Sequence, residues 1–232
     1  MNMGNMIAIF KKQVKETWKN KTIFIQFIMF PILTVIMNHV IQIEGMPKNF
    51  FVNLFATMYI CMTPLISITA IIAEEKEKNT LRVLMMSNVK PYEYLLGVGG
   101  YIWFVCMMGA AVFCIVGEYQ SKEAVIFLII MTIGILASLL IGAAIGTCSK
   151  TQMMATSITV PVMMIFSFLP MLSLFNSTIS KIARFIYSEQ VSIMINQLEN
   201  LHICFADILI IVINMLIAFS LFVIAYKKCG LS

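Results

Sequence analysis

Residues 71–97 read IIAEEKEKNTLRVLMMSNVKPYEYLLG, and they decide the fold by contrast with what flanks them. Residues 74–90 hold seven charged side chains, whereas the stretches before and after are almost pure hydrocarbon. Only 12% of the 232 residues are charged and 60% are hydrophobic. The mean hydropathy is +0.94. An ordinary soluble domain carries about 25% charged residues. A deficit of this size points to a protein that crosses a membrane several times.

A helical span needs about 20 apolar residues to cross about 30 Å of hydrocarbon. Six stretches meet this, at roughly 22–43, 50–73, 94–117, 124–147, 153–175 and 207–226. Each must be a helix, because an open strand would leave backbone polar groups unpaired in lipid. Pro31, Pro64, Pro161 and Pro170 fall inside these runs, and membrane helices tolerate such kinks. The expected fold class is therefore all-α integral membrane, one transmembrane domain over 1–232. It divides into an amphipathic surface helix over 1–21, a six-span core over 22–226 and a tail over 227–232. The first apolar run is too long for a cleaved signal and lacks a small-residue cleavage site, so it is read as a retained span.

Sidedness follows from Lys and Arg. Lys11, Lys12, Lys15, Lys19, Lys21, Lys76, Lys78, Arg82, Lys90, Lys150, Lys227 and Lys228 fall on one side of the six-span scheme. Lys48, Lys122, Lys181 and Arg184 fall on the other. Both termini, the 74–92 stretch and the 148–152 loop are expected in the cytoplasm. Trp18, Tyr92, Tyr119 and Tyr226 stand near span ends, where aromatic rings anchor.

Three segments do not span. Residues 3–20 place Met6, Phe10, Val14 and Trp18 at four-residue spacing beside lysines, the pattern of a basic amphipathic helix on a leaflet. It serves either as an orienting anchor or as a partner contact. Residues 176–206 include ISKIARFIYSEQVSIMINQL, with Ile179, Ile182, Ala183, Ile186 and Tyr187 on one helical face. This fits a short interfacial or re-entrant hairpin, or an ordinary amphipathic loop helix.

The third segment is the charged one. Glu74, Glu75, Lys76, Glu77 and Lys78 extend the second span into water. Asn79 can adopt the left-handed backbone that ends a helix, and Thr80 can cap the next. Leu81, Leu84 and Met85 then give a short helix an apolar face, and Pro91 suits the first turn of the third span. An apolar face beside charges suits docking into a groove on another protein. Glu74, Glu75, Glu77 and Glu93 would be repelled by an anionic leaflet, which favours a protein over headgroups as the docking partner.

EKEKNTLRVLMMSNV (75–89) resembles the signature of the ABC-2 family of ATP-binding-cassette exporter permeases. That signature runs Glu-x-Glu-x-Gly-Thr-Leu, two further leucines, then Ser-Pro. Glu75, Glu77, Thr80, Leu81, Leu84 and Ser87 match it, with Asn79 for the family's Gly and Asn88 for its Pro. Asn and Gly both accept the left-handed backbone. The order of an N-terminal amphipathic helix, six spans and an external hairpin between the last two also resembles the family, as do FSFLP (166–170) and IARFIY (182–187).

The resemblance implies two permeases, identical or different, served by two cytoplasmic ATPase subunits that carry the ATP and Mg2+. Residues 81–86 would be the coupling helix. Glu75, Glu77, Thr80, Leu81, Leu84 and Met85 would transmit ATPase motion, with the two glutamates at the ATPase contact and spans one, two and five lining the path. The sequence has no Gly-x-x-x-x-Gly-Lys-Ser/Thr phosphate loop, so the ATPase is expected on another chain. Outward transport follows by family analogy, and the location implied is a bacterial cell membrane. No catalytic residue, metal site or nucleic-acid partner is expected.

Other patterns carry less. Ser138, Gly142 and Gly146 form a small-residue stripe in SLLIGAAIG, suited to close helix packing within the chain. Gly97, Gly99 and Gly100 suit a tight crossing or a flexible entry to the third span. Cys61, Cys106, Cys114, Cys148, Cys204 and Cys229 are scattered without a CxxC and read as small buried hydrophobes. The 20 methionines read as flexible apolar filling.

A membrane protease of the Glu-Glu-x-x-x-Arg type would need Arg where Asn79 stands, and histidines near Glu74 and Glu75. His39 and His202 are expected on the opposite side. A secondary transporter or channel would place ionisable groups at mid-membrane, yet Glu93 and Asp207 sit at span edges. Spans without such groups suit an amphipathic or hydrophobic cargo, such as a drug, a lipid-like compound or an antimicrobial peptide, in a multidrug or bacteriocin resistance role.

Overall fold

The computed structural model describes residues 3–19, 21–41, 47, 49–87, 89–198 and 205–230. Asn88, His202, Cys204 and the 42–43 end of the first expected span lie outside the described residues. Among the described residues, ten helices follow one another: α1 (Met3–Lys19), α2 (Lys21–Val40), α3 (Phe50–Glu77), α4 (Thr80–Met86), α5 (Pro91–Val116), α6 (Ser121–Cys148), α7 (Gln152–Ser173), α8 (Ser177–Ala183), α9 (Tyr187–Asn196) and α10 (Phe205–Cys229). Six of them, α2, α3, α5, α6, α7 and α10, are long and apolar enough to cross a membrane. Pro31, Pro64, Pro161 and Pro170 all lie inside helices.

Helix α3 is the axis of the bundle, touching α2, α5, α6, α7 and α9. Its buried side chains include Tyr59, Ile60 and Ile72, in one core with Phe113 of α5 and Phe127, Ile130 and Met131 of α6. Helices do not attract through water exclusion in lipid, so close van der Waals fit and interhelical hydrogen bonds must hold them. The α3–α6 seam supplies both. A Cβ on Gly142 would stand 2.6 Å from the Leu65 carbonyl oxygen and 2.5 Å from Ile68 Cγ2. The Thr69 hydroxyl donates across the gap to the Gly142 carbonyl at 2.9 Å. Gly146 lies against Ile72 and Thr69, and Ser138 shares a hydrogen bond of 2.9 Å with the Tyr187 hydroxyl of α9. The small-residue stripe is thus a contact inside this chain.

The stretch after α7 is two helices, which splits the single apolar face read from the sequence. Ile182 and Phe185 point outward, whereas Tyr187, Ser188, Glu189, Gln190 and Val191 are buried. Tyr187 begins α9 and reaches the middle of α6 at Ser138. Gln190 donates to the Arg184 carbonyl in the α8–α9 turn. A buried amide and hydroxyl need such partners, so this segment enters the bundle and is no peripheral loop helix.

Helix α1 lies along α5. Gly97 of α5 permits the crossing, since a Cβ there would stand 2.9 Å from Ile9 Cγ2, while Gly99 and Gly100 have open space around them. The face α1 turns inward is Ile9, Gln13 and Thr17. Of the Met6–Phe10–Val14–Trp18 stripe, Phe10 packs against Tyr101 and Phe104 of α5, while Val14 and Trp18 are exposed. The two ends of the bundle differ. One joins Asn49 to Gly117 and links Tyr119, Asn53 and Asn196 through their side chains. The other gathers α1, α4, the α6–α7 turn and the end of α10 around the charged residues 74–77.

Candidate functional site

The end of α3 is a helix of consecutive charges, and successive side chains on a helix point about 100° apart. Each charge therefore meets a different neighbour. Glu74 faces outward and pairs with Lys78 one turn on. Glu75 turns inward, only 5% exposed. Its Oε1 accepts from Lys12 Nζ at 2.8 Å and from Gln13 Nε2 at 2.7 Å. Lys76 reaches the opposite flank, where Nζ donates to the Thr147 carbonyl at 2.7 Å and to the Gly230 carbonyl at 3.4 Å. Glu77 accepts from the Gln152 backbone N–H at 2.7 Å, placing a carboxylate at the positive end of α7.

The chain then reverses. Asn79 sits at φ 56 in the left-handed region, a conformation that Asn adopts more readily than most residues. The Thr80 hydroxyl does not cap α4 but donates back to the Glu75 carbonyl at 3.1 Å, closing the end of α3 onto the start of α4. After α4, Ser87 N–H returns to the carbonyls of Val83 and Leu84. Pro91 opens α5, where Glu93 Oε2 accepts from the Lys90 N–H at 3.3 Å and from Asn5 Nδ2 of α1 at 2.9 Å.

The two faces of α4 differ. Leu81 is 1% exposed and Leu84 and Met85 are half-buried. Those three side chains attach α4 to its own bundle. The face left free holds Arg82, Val83 and Met86, with Val83 61% and Met86 79% exposed. Glu75 is engaged within the chain by Lys12 and Gln13. Glu77 is exposed but engaged at α7.

Between α1, the foot of α2 and the end of α3 lies a cleft of about 530 Å³, bordered by Lys12, Glu16, Lys21, Glu74, Glu75 and Lys78. Burial pushes the Glu16 carboxyl above its ordinary range, opposed by Lys12 and reinforced by Glu75 and Glu74. The Glu74 carboxylate in turn raises the Lys78 ammonium.

The sequence model of a family described as ABC-2 family transporter protein matches residues 46–226. The chain belongs to the ABC-2 transporter family. This ABC-2 protein is thus a multi-pass membrane subunit of an ATP-binding-cassette transporter, a transport subunit whose family associates with ATPase partners. The match runs from α3 through α9 and into α10 as far as Tyr226, while α1 and α2 precede it. A search of curated proteins gives no match. The pairing of Glu75 with Lys12 and Gln13 escaped the sequence reading, because Gln13 is a polar residue on the buried face of α1. Nothing in the sequence marks it, because Glu75 reads there as part of a solvated helix end, and only its burial reveals the need for donors.

Proposed function

We propose that this ABC-2 subunit is half of the membrane core of an ATP-driven exporter, and that α4 carries the stroke of a separate ATPase through Arg82, Val83 and Met86. The observation that carries this reading is the exposure of Val83 and Met86 on a short helix whose other face is anchored by Leu81. Large apolar side chains displayed beside a charge, at the end of a bundle rather than along its flank, suit insertion into a cleft. ATP and Mg2+ belong to the partner. A push on α4 passes to the spans by short routes: through Thr80 to the end of α3, through Glu75 to α1, and through Glu77 to α7. Glu75, Glu77, Thr80, Leu81, Leu84 and Met85 then act as the inner linkage, with the outer face making the contact.

The distribution of Lys and Arg supports a cytoplasmic position for α4 and both termini. A second permease copy or a paralogue completes the path. Of spans one, two and five, α3 is largely buried within the chain, whereas α2 and α7 are largely open, which makes α2 and α7 the better candidates for the seam. Thr156, Ser157, Val160 and Met164 lie on the outer face of α7. Among the described residues, the charges of the six spans fall within four residues of a helix end. Such spans suit an amphipathic or hydrophobic cargo and offer ions no marked path.

The test is affinity purification of the chain from its native membranes in mild detergent, with co-purifying proteins identified by mass. The expected result is an ATPase bearing a phosphate loop in a one-to-one ratio. Recovery of the chain without one, repeated after crosslinking, would overturn the reading.

A further inference from the structure

The last turns of α6 and α10 finish side by side, and each finishes in a cysteine. Cys229 Sγ lies 3.5 Å from Cys148 Sγ. Their backbones are held by a common cation, since Lys76 Nζ donates to the carbonyls of Thr147 and Gly230, the residues beside each cysteine in the chain. Gly230, at φ 64, turns its N–H back to the Tyr226 carbonyl at 2.9 Å, the usual left-handed helix stop. On the other side Ser149 closes α6 through its hydroxyl and its N–H to Ile145.

The other described cysteines differ in setting. Cys61 and Cys106 are buried in the core, and Cys114 lies against the Ala124 carbonyl. Cys229 is exposed and Cys148 half-buried. A disulfide needs the two sulfurs at about 2 Å, so the pair must close by roughly 1.5 Å, within the reach of two terminal helical turns.

We propose that Cys148 and Cys229 are a reversible redox site, which a peroxide converts from two thiols to one intramolecular disulfide. The exposed Cys229 thiolate attacks one oxygen of hydrogen peroxide. The O–O bond breaks, hydroxide leaves and Cys229 becomes a sulfenic acid. The Cys148 thiolate then attacks that sulfur, the S–O bond breaks and a second hydroxide leaves. With the two thiol protons, the products are one disulfide and two waters. A dithiol reverses the reaction. The bond would staple the end of α10 to the end of α6 beside Lys76 at the end of α3. Isolated cytoplasmic disulfides in mesophiles are usually transient and redox-sensing, which suits an exposed pair.

The test uses the full chain in native membranes, titrated with hydrogen peroxide, then alkylated with a maleimide, digested and analysed by mass. The expected product is a peptide pair joining Cys148 to Cys229 within one chain, two hydrogens lighter than its parts and restored by dithiothreitol. Cys148→Ser or Cys229→Ser abolishes it. Full alkylation of both cysteines after oxidation, a bond between two chains, or Cys229 running on to sulfinic acid unpaired would each overturn the proposal. Bond formation does not depend on any ATPase, so this proposal and the reading of α4 can fail separately.

Discussion

Lys12 and Glu75 form an ion pair at 2.8 Å that ties the first helix of the chain to the end of the third. The carboxylate is shielded and the ammonium is partly open to water. Gln13, 1% exposed, supplies the second donor. Removing one member of a buried, hydrogen-bonded charge pair leaves the rest unsatisfied. Glu75→Ala is expected to lower stability by about 2–4 kcal/mol, read as a lower thermal midpoint in detergent and faster proteolysis within α1. Glu74→Ala, which loses a more exposed pair with Lys78, is the control. Equal effects from the two would contradict the assignment.

Glu16 gives the same junction a pH dependence. Its carboxyl is raised in the folded chain, first by burial. Protonation therefore favours the docked α1. The support is fully present below the ordinary carboxylate range and is lost as pH rises through the raised value. Hydrogen exchange in α1 should accelerate across that window, and Glu16→Gln should flatten the profile.

The α3–α6 seam depends on the absence of a side chain at residue 142. Gly142→Ala drives a methyl against the Leu65 backbone carbonyl, which cannot rotate away. A loss of about 1–3 kcal/mol is expected. Gly100→Ala, inside α5, meets nothing within 4 Å and should hold or slightly raise the thermal midpoint.

Asn79 stands at positive φ. Asn79→Gly should be neutral or slightly stabilising, and Asn79→Ala should cost about 1 kcal/mol. Leu81→Ala, which empties a buried site on the other side of that turn, should cost about 2–4 kcal/mol. Thermal unfolding of the three variants orders them, and an Asn79→Gly variant as weakened as Asn79→Ala would contradict the turn assignment.

The sequence exposed some of this design and hid the rest for physical reasons. Apolar runs bounded by charges marked all six long helices, because crossing hydrocarbon fixes both length and composition. The break at Asn79 was legible too, since few residues accept its backbone. The direction of α4 was not. Leu81, Leu84 and Met85 form one face, but only the neighbouring helices decide whether that face looks in or out. In α1 the apolar stripe was legible, but the inward face of Ile9, Gln13 and Thr17 was not, because only the neighbouring Glu75 shows why a glutamine is buried there. Cys148 and Cys229 are 81 residues apart, and no spacing rule brings two helix ends together.

The most direct test of α4 as the transmission surface is photo-crosslinking from its free face in native membranes. A photoreactive residue placed at Met86 should yield an adduct with a phosphate-loop ATPase, and one at Leu96, exposed on α5, should not. Val83→Asp with Met86→Asp should abolish co-purification of that ATPase while membrane yield of the chain holds. No adduct from position 86, or undiminished ATPase binding by the double variant, would contradict the account.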